Sequence, residues 1–450
     1  MYFLYSLLLS LGFLILLPRF LLDAFRHGKY VAGFRERLGS LSALESQERP
    51  VVWLHCVSVG ESQAARPLVQ SIRKRFPNHV LVISTVTLTG QNLARELFKT
   101  EAAQVFYFPF DWRWTVRRAL DAIKPSAVLI METELWPGFL RECQAREIPV
   151  AIVNGRLSPQ SFRRYKLIKG FVSRVLGCLS LAVMQTEADA QRIRELGLHR
   201  GKVSVSGSLK FDAGTISISD SLASEFRKRF AITREVPLIL AASTHSPEED
   251  VVLDAFQHLK DRFPHKCRLL LAPRHPERFA EVASMLERSG LTWTSRTQNA
   301  HSTDEHSEVI LLDTIGELQG IYSLATVVFV GGSISRNGGH NIIEPAALGA
   351  AIITGAHTYN FELIVNMFLK ERAIIQLSAL SLTDAKVELA NVLTDLLANE
   401  QQRSELGQRA RKLVDQNLGA TERTLDLLGS MFTKSPMASP QTTAIRAGIT

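Results

Sequence analysis

Three carboxylates and one lysine stand where apolar, strand-like segments give way to turns. Glu61 closes His55-Cys56-Val57-Ser58-Val59-Gly60-Glu61, at the end of an apolar run. A carboxylate there can act as a general base if it reaches a substrate proton, and the same position at a helix start equally suits compensation of the helix dipole. Glu132 and Glu134 follow the run 127–131, and their spacing would put them on one face if the strand continued, which Trp136-Pro137 makes doubtful. Lys210, in Gly207-Ser208-Leu209-Lys210-Phe211-Asp212, can stabilise a departing phosphate as a point charge or be an ordinary solvated lysine. No zinc-type His/Cys cluster accompanies these groups, so no metal is expected.

A second set of residues suits a nucleotide. The run Gly331-Gly332-Ser333-Ile334-Ser335-Arg336-Asn337-Gly338-Gly339-His340-Asn341-Ile342-Ile343-Glu344-Pro345 follows an apolar segment and precedes a helix-like one. Glycines permit close backbone approach, and the amides at a helix start favour anions. Glu344 is then placed to take a ribose hydroxyl pair. A purely structural turn between strand and helix is the other reading. Arg274, after Pro273, suits a phosphate or a base ring, or a surface ion pair. Asp313-Thr314-Ile315-Gly316-Glu317-Leu318 reads as a strand-to-helix turn in which Gly316 allows close approach. The P-loop, Rossmann G-x-G-x-x-G, G-x-S-x-G, H-E-x-x-H and D-x-D patterns are all missing. Leaving-group stabilisation by amides, Lys and Arg fits this better than a metal–diphosphate clamp.

These residues need a scaffold, and the pattern supplies one. From about residue 50, short apolar runs alternate with amphipathic stretches: strands are expected at 51–57, 80–84, 127–131, 150–153, 181–184 and 203–206. A second series follows at 238–242, 268–272, 309–312, 326–330 and 351–354. Continuously apolar strands separated by helices imply parallel sheets covered on both faces, hence two doubly wound α/β domains of Rossmann type. Ligands of such sheets bind beyond the strand carboxyl ends, where every motif above lies, and all could face one interdomain cleft.

The expected organisation is a membrane anchor at 1–22, an acceptor-binding domain at 23–215, a nucleotide-binding domain at 216–434 and a disordered tail rich in Ser, Pro, Thr and Ala at 435–450. The first 17 residues carry no charged side chain, and Arg19, Arg26, Lys29, Arg35 and Arg37 follow against only Asp23 and Glu36. The stretch approaches the roughly 20 residues needed to span hydrocarbon, and the basic flank would keep the body in the cytoplasm. A helix lying in the membrane interface is the alternative.

With 450 residues and a net charge of +8, the chain can fill two domains and suits an anionic membrane face or a phosphorylated substrate. The basic, aromatic-rich motifs of RNA binders are absent, so nucleic acid is not an expected partner. Residues 156–174 hold Arg156, Arg163, Arg164, Lys166, Lys169 and Arg174 with no acidic residue, which suits lipid headgroups or a phosphorylated acceptor, or simply a solvated helix face. Cys56, Cys143, Cys178 and Cys267 form no C-x-x-C pair and read as buried free thiols.

Taken together, His55–Glu61, 129–137, 207–212, 273–279, 313–318, Gly331–Ser333 with 338–344, and 357–361 resemble the bacterial 3-deoxy-D-manno-octulosonic acid (Kdo) transferases of lipopolysaccharide assembly. Each motif is weak by itself; their joint order and spacing are specific, and they extend to about residue 420. The resemblance implies a glycosyltransferase B-type fold, a CMP-Kdo donor, no further cofactor, and the bisphosphorylated lipid A precursor as acceptor at the cytoplasmic face of the inner membrane. It implies Glu61 as general base, and transition-state roles for Glu132 and Lys210. CMP would be held by Pro273 and Arg274, by Ile315, Gly316 and Glu317, and by Asn341, Ile342, Ile343 and Glu344. The bulk pattern leaves open another B-type enzyme using a UDP-sugar, or a non-catalytic membrane-tethered nucleotide binder.

Overall fold

The computed structural model describes residues 2–27, 33–44, 49–214, 220–233, 235–262, 267–379 and 381–433. The expected tail at 435–450 lies outside them. The chain forms two compact units: one from its start to Ala213 and again from Gly419, the other Gly214–Leu418.

The first unit is built on β1 (Val51–His55), β2 (Val80–Thr85), β3 (Gln104–Tyr107), β4 (Ala127–Met131), β5 (Val150–Gly155), β6 (Leu181–Met184) and β7 (Val203–Val205). They pair in parallel in the order β3-β2-β1-β4-β5-β6-β7. The order reverses between β1 and β4, whose register sets His55 opposite Ile130. Alternate residues of β1 enter different cores. Val51 and Trp53 pack on one face with Phe106, Phe108 and Phe139; Val52 and Leu54 pack on the other with Leu68 and Ile72 of the Val59–Arg75 helix. Burial on both faces is what a run of Val, Leu and Trp in a parallel strand requires.

The last helix, Ala420–Thr433, returns to this first unit, although the sequence pattern had placed it in the second domain. Its Leu425, Leu428, Met431 and Phe432 share the core of the Val59–Arg75 helix, and Phe432 lies 4.6 Å from the Phe76 ring. The Asp212 carboxylate accepts the amides of Gly419 (2.8 Å) and Thr421 (2.6 Å), so it caps this helix at its start. A helix that closes a distant core has no local sequence mark of its domain.

The second unit carries β8 (Leu238–Thr244), β9 (Arg268–Pro273), β10 (Trp293–Ser295), β11 (Val309–Leu311), β12 (Val327–Val330), β13 (Ala351–Thr354) and β14 (Ile375–Gln376). They too are parallel, in the order β10-β11-β9-β8-β12-β13-β14, and the reversal falls between β8 and β12. β3, β10 and β14, which the apolar pattern misses, are all edge strands of partial burial. An edge strand has no neighbour on one side and need not read as a continuous apolar run.

The N-terminal segment is a helix, Tyr2–His27. No helix among the described residues is long and apolar enough to cross a membrane. One stripe is tied to the first unit. Tyr2 meets the Phe171 ring edge-on at 5.7 Å, and Tyr5 donates its hydroxyl to Asp111 at 2.8 Å. Ser10 accepts from the Trp112 indole N–H at 3.0 Å, and Phe13 packs at 5.1 Å from the same ring. Spacing of three and then of eight and eleven residues keeps these contacts on one face. The other face exposes Phe3 (83%), Leu7, Leu8, Leu11, Leu14 and Ile15. The four cysteines are buried and free.

Candidate active site

Glu61 is fixed by the way β1 turns into a helix. Ser58 caps the Val59–Arg75 helix, and Glu61 is its third residue. The Glu61 carboxylate accepts the Val57 amide (2.8 Å) and the Ser58 hydroxyl (3.0 Å). The residue is only 7% exposed. Burial pushes its pKa up from 4.5 to about 7, against the Val57 and Ser58 hydrogen bonds, with Glu132 and Glu134 adding repulsion. The two readings of Glu61 therefore coincide: it bonds the helix entry, and it is a desolvated carboxyl poised between its two forms near neutrality.

Glu132 leaves β4 in the left-handed region, at φ 54°, with its amide bonded to the Val153 carbonyl at 3.0 Å. That turn ends the strand, so Glu132 and Glu134 do not share a strand face. The Glu132 carboxylate stands 3.8 Å from Lys210 Nζ. Lys210 sits in the Leu209–Gly214 helix, whose Leu209 amide bonds the Asn154 side chain at 3.0 Å. Burial and the neighbouring Glu132 raise Glu134. The structure thus brings Glu61, Glu132 and Lys210 together at the carboxyl edge of one sheet, beside its reversal point. Sequence reasoning missed Asn154 and Asp212, which position the lysine's segment; a left-handed Asn within the last residues of a strand (φ 53°) has no distinctive sequence signal.

In the second unit the Gly-rich loop is anchored from within. The amides of Gly332 (2.6 Å), Ser333 (2.8 Å), Ile334 (2.8 Å) and Ser335 (3.2 Å) all bond the buried carboxylate of Glu248. These amides are committed to an internal carboxylate, so this part of the loop is a structural cradle, the second of the two readings its sequence allows. Further along, Asn341 bonds the Ile343 amide (3.0 Å) through its carbonyl and the Glu344 carboxylate (3.0 Å) through its amide nitrogen. Burial raises Glu344, while Asn341 and Arg274 act to lower it. Pro273 ends β9, and exposed Arg274 bonds the Thr244 carbonyl through its amide at 3.0 Å.

Glu317 is also committed. Arg296 grips it through Nε (2.9 Å) and Nη2 (2.8 Å), which holds the carboxyl below its ordinary range. Its side chain braces the turn. Beside it Ile315 is 61% exposed, and Gly316, at φ 89°, has open space where a side chain would project. Backbone contact with a ligand is what such a turn offers. Among the described residues no three His, Cys, Asp or Glu side chains are grouped to hold a metal ion.

A family model described as "3-Deoxy-D-manno-octulosonic-acid transferase (kdotransferase)" matches residues 32–213. The chain is 33% identical to the 3-deoxy-D-manno-octulosonic acid transferase of Haemophilus influenzae, across 89% of this chain and 91% of that protein. It is 34% identical to the enzyme of the same name from Bordetella pertussis, across 84% and 86%. A glycosyltransferase structure from Rickettsia africae matches at TM-score 0.55 and 13% identity over 86% of this chain and 100% of that one. A putative UDP-N-acetylglucosamine 2-epimerase from Listeria monocytogenes matches at TM-score 0.58 and 13% identity, over 86% and 98%. Both likenesses are of fold, two parallel-sheet α/β domains in the manner of B-type glycosyltransferases. Identity above 30% along nearly the whole length of two relatives says more: the chain belongs to the 3-deoxy-D-manno-octulosonic acid transferase family and is a glycosyltransferase.

Proposed function

We propose that this enzyme transfers one or more Kdo residues from CMP-Kdo to the bisphosphorylated lipid A precursor, with inversion and without a metal ion. The observation that carries the reading is Glu61, a carboxyl desolvated to a pKa of about 7 at a strand end beside the sheet reversal. It takes the proton of the acceptor hydroxyl as that oxygen attacks the anomeric carbon. Glu132 and Lys210, 3.8 Å apart, act on the transition state, the lysine opposing negative charge as the phosphate departs. Transfer through one base, with no enzyme nucleophile, inverts configuration. Pro273 and Arg274, the backbone of Ile315 and Gly316, and Asn341 to Glu344 hold the CMP portion.

The enzyme works at the cytoplasmic face of the inner membrane, in this reading, as an interfacial protein. Support comes from the exposed apolar face of the Tyr2–His27 helix and the neighbouring helices Pro159–Leu167 and Lys169–Gly177. There Arg163, Arg164, Lys166 and Lys169 are exposed around Leu167, itself 86% exposed. Apolar residues ringed by cations suit an anionic lipid surface.

The test is transfer from CMP-Kdo to lipid A precursor in vesicles, comparing wild type with Glu61→Gln and weighing the lipid product by mass spectrometry. Wild type should add Kdo, with the product mass counting the units, and Glu61→Gln should bind CMP yet transfer nothing. Inhibition by UDP and not by CMP would overturn the donor assignment.

A further inference from the structure

The strands at which the second sheet reverses, β8 and β12, lead into two histidines that meet. His245 Nε2 and His340 Nε2 are 2.8 Å apart, with the rings parallel to within 8°. At that distance one nitrogen carries a hydrogen and the other offers a lone pair, so the neutral pair shares one proton between its inner nitrogens.

The scaffold is built around this meeting. Glu248 accepts the His245 amide at 3.0 Å as well as the four loop amides, so one buried carboxylate pins both histidine-bearing loops. Gly332, at φ 67°, clears the space: a side-chain carbon there would lie 2.9 Å from the His340 ring. The His275 ring stands edge-on to His245 at 5.0 Å, and an Arg278–Glu249 ion pair of 2.6 Å lies behind it. Arg274 opposes positive charge on both histidines, and also acts on Glu344.

We propose that His245 and His340 form a charge-switching pair that, with Arg274, receives the cytidylate phosphate and takes up one proton when that phosphate becomes a monoester dianion. This rests on the CMP-linked donor proposed above. In the transfer step the bond between the anomeric carbon and the phosphate oxygen breaks, and its electron pair stays on phosphate. The phosphodiester, with one negative charge, becomes a monoester with two. The acceptor oxygen bonds the anomeric carbon, and its proton goes to Glu61. The proton taken by the pair comes from solvent.

Magnitude explains why the pair would respond to bond cleavage and not merely to binding. Burial, then Arg274 and the other two histidines, hold His340 down to about 3, and burial and His275 also lower His245, so both rings are shifted toward their neutral forms. One negative charge at about 4 Å, in surroundings typical of a protein surface, raises a neighbouring pKa by about 3 pH units. One such charge leaves His340 neutral at about pH 7.5, and two carry it past that pH.

The experiment is calorimetric titration of the full chain with CMP at about pH 7.5, in buffers of different ionisation enthalpy, which reads protons bound per ligand. Wild type should take up close to one proton with CMP and little with the methyl phosphodiester of CMP. His340→Gln and, separately, His245→Gln should abolish the uptake and weaken CMP about tenfold or more. Binding of CMP without proton uptake, equal uptake with monoester and diester, or uptake that survives both substitutions would overturn the proposal. Failure of wild type to bind CMP at all would overturn the donor reading beneath it.

Discussion

Replacing Glu61 by Gln should abolish transfer and yet stabilise the first unit at alkaline pH. Burial lifts the folded carboxyl from 4.5 to about 7. Its contribution to stability is therefore complete below the unfolded value near 4.5 and is lost as pH rises through about 7. At about 1.4 kcal/mol per pH unit, the ionised form at pH 8 costs about 3 kcal/mol; at pH 5 the cost is below about 1 kcal/mol. Gln keeps one acceptor oxygen, so one of the bonds from Val57 and Ser58 is given up, a loss of about 1 kcal/mol at either pH. The variant should thus gain about 2 kcal/mol at pH 8 and about nothing at pH 5. Urea unfolding followed by tryptophan fluorescence reads this well, because Trp53, Trp112, Trp114 and Trp136 lie in the first unit and only Trp293 in the second. A stability difference that is the same at pH 8 and pH 5 would refute the argument, since Glu61 would then not be a desolvated carboxyl. In the same reasoning, wild-type kcat/KM rises with pH through about 7.

Lys210→Ala should lower kcat about 10²- to 10³-fold with little change in CMP affinity, measured by steady-state transfer and calorimetry. Asp212→Ala uncaps the Gly419 and Thr421 amides; it should cost about 1–2 kcal/mol in urea unfolding and lower kcat by loosening the segment that carries Lys210, with Asp212→Asn recovering part of both. Joint replacement of Arg163, Arg164 and Lys166 by Ala should weaken acceptor affinity on anionic vesicles, with CMP binding unchanged; unaltered acceptor affinity would leave these residues as a solvated helix face. Leu8→Glu with Leu11→Glu, on the exposed side of the first helix, should abolish co-flotation with anionic vesicles without shifting the unfolding midpoint.

The pattern of apolar runs was enough to read two parallel α/β units, because interior strands such as β1, β4, β8 and β12 are covered on both faces and must be apolar throughout. It was also enough to set Glu61, Glu132, Lys210 and Arg274 just beyond strand carboxyl ends, since a strand end is a local feature. The family, too, could be recognised from ordered motifs. What local sequence does not carry is partnership between distant segments. Gly332 to Ser335 look like free amides until Glu248, more than eighty residues away in sequence, is seen to occupy them. The grip of Arg296 on Glu317 cannot be read from the turn that holds Glu317, and the Ala420–Thr433 helix looks like part of the second unit until its leucines enter the first core. The apolar start of the chain reads as a spanning or an interfacial helix, and nothing in its local sequence announces the contacts that Tyr5, Ser10 and Phe13 make with Asp111 and Trp112. Sequence determines which groups sit at the ends of strands, because burial is imposed residue by residue. The tertiary structure decides which of those groups are already satisfied, because a hydrogen bond or an ion pair is a property of two places in the chain.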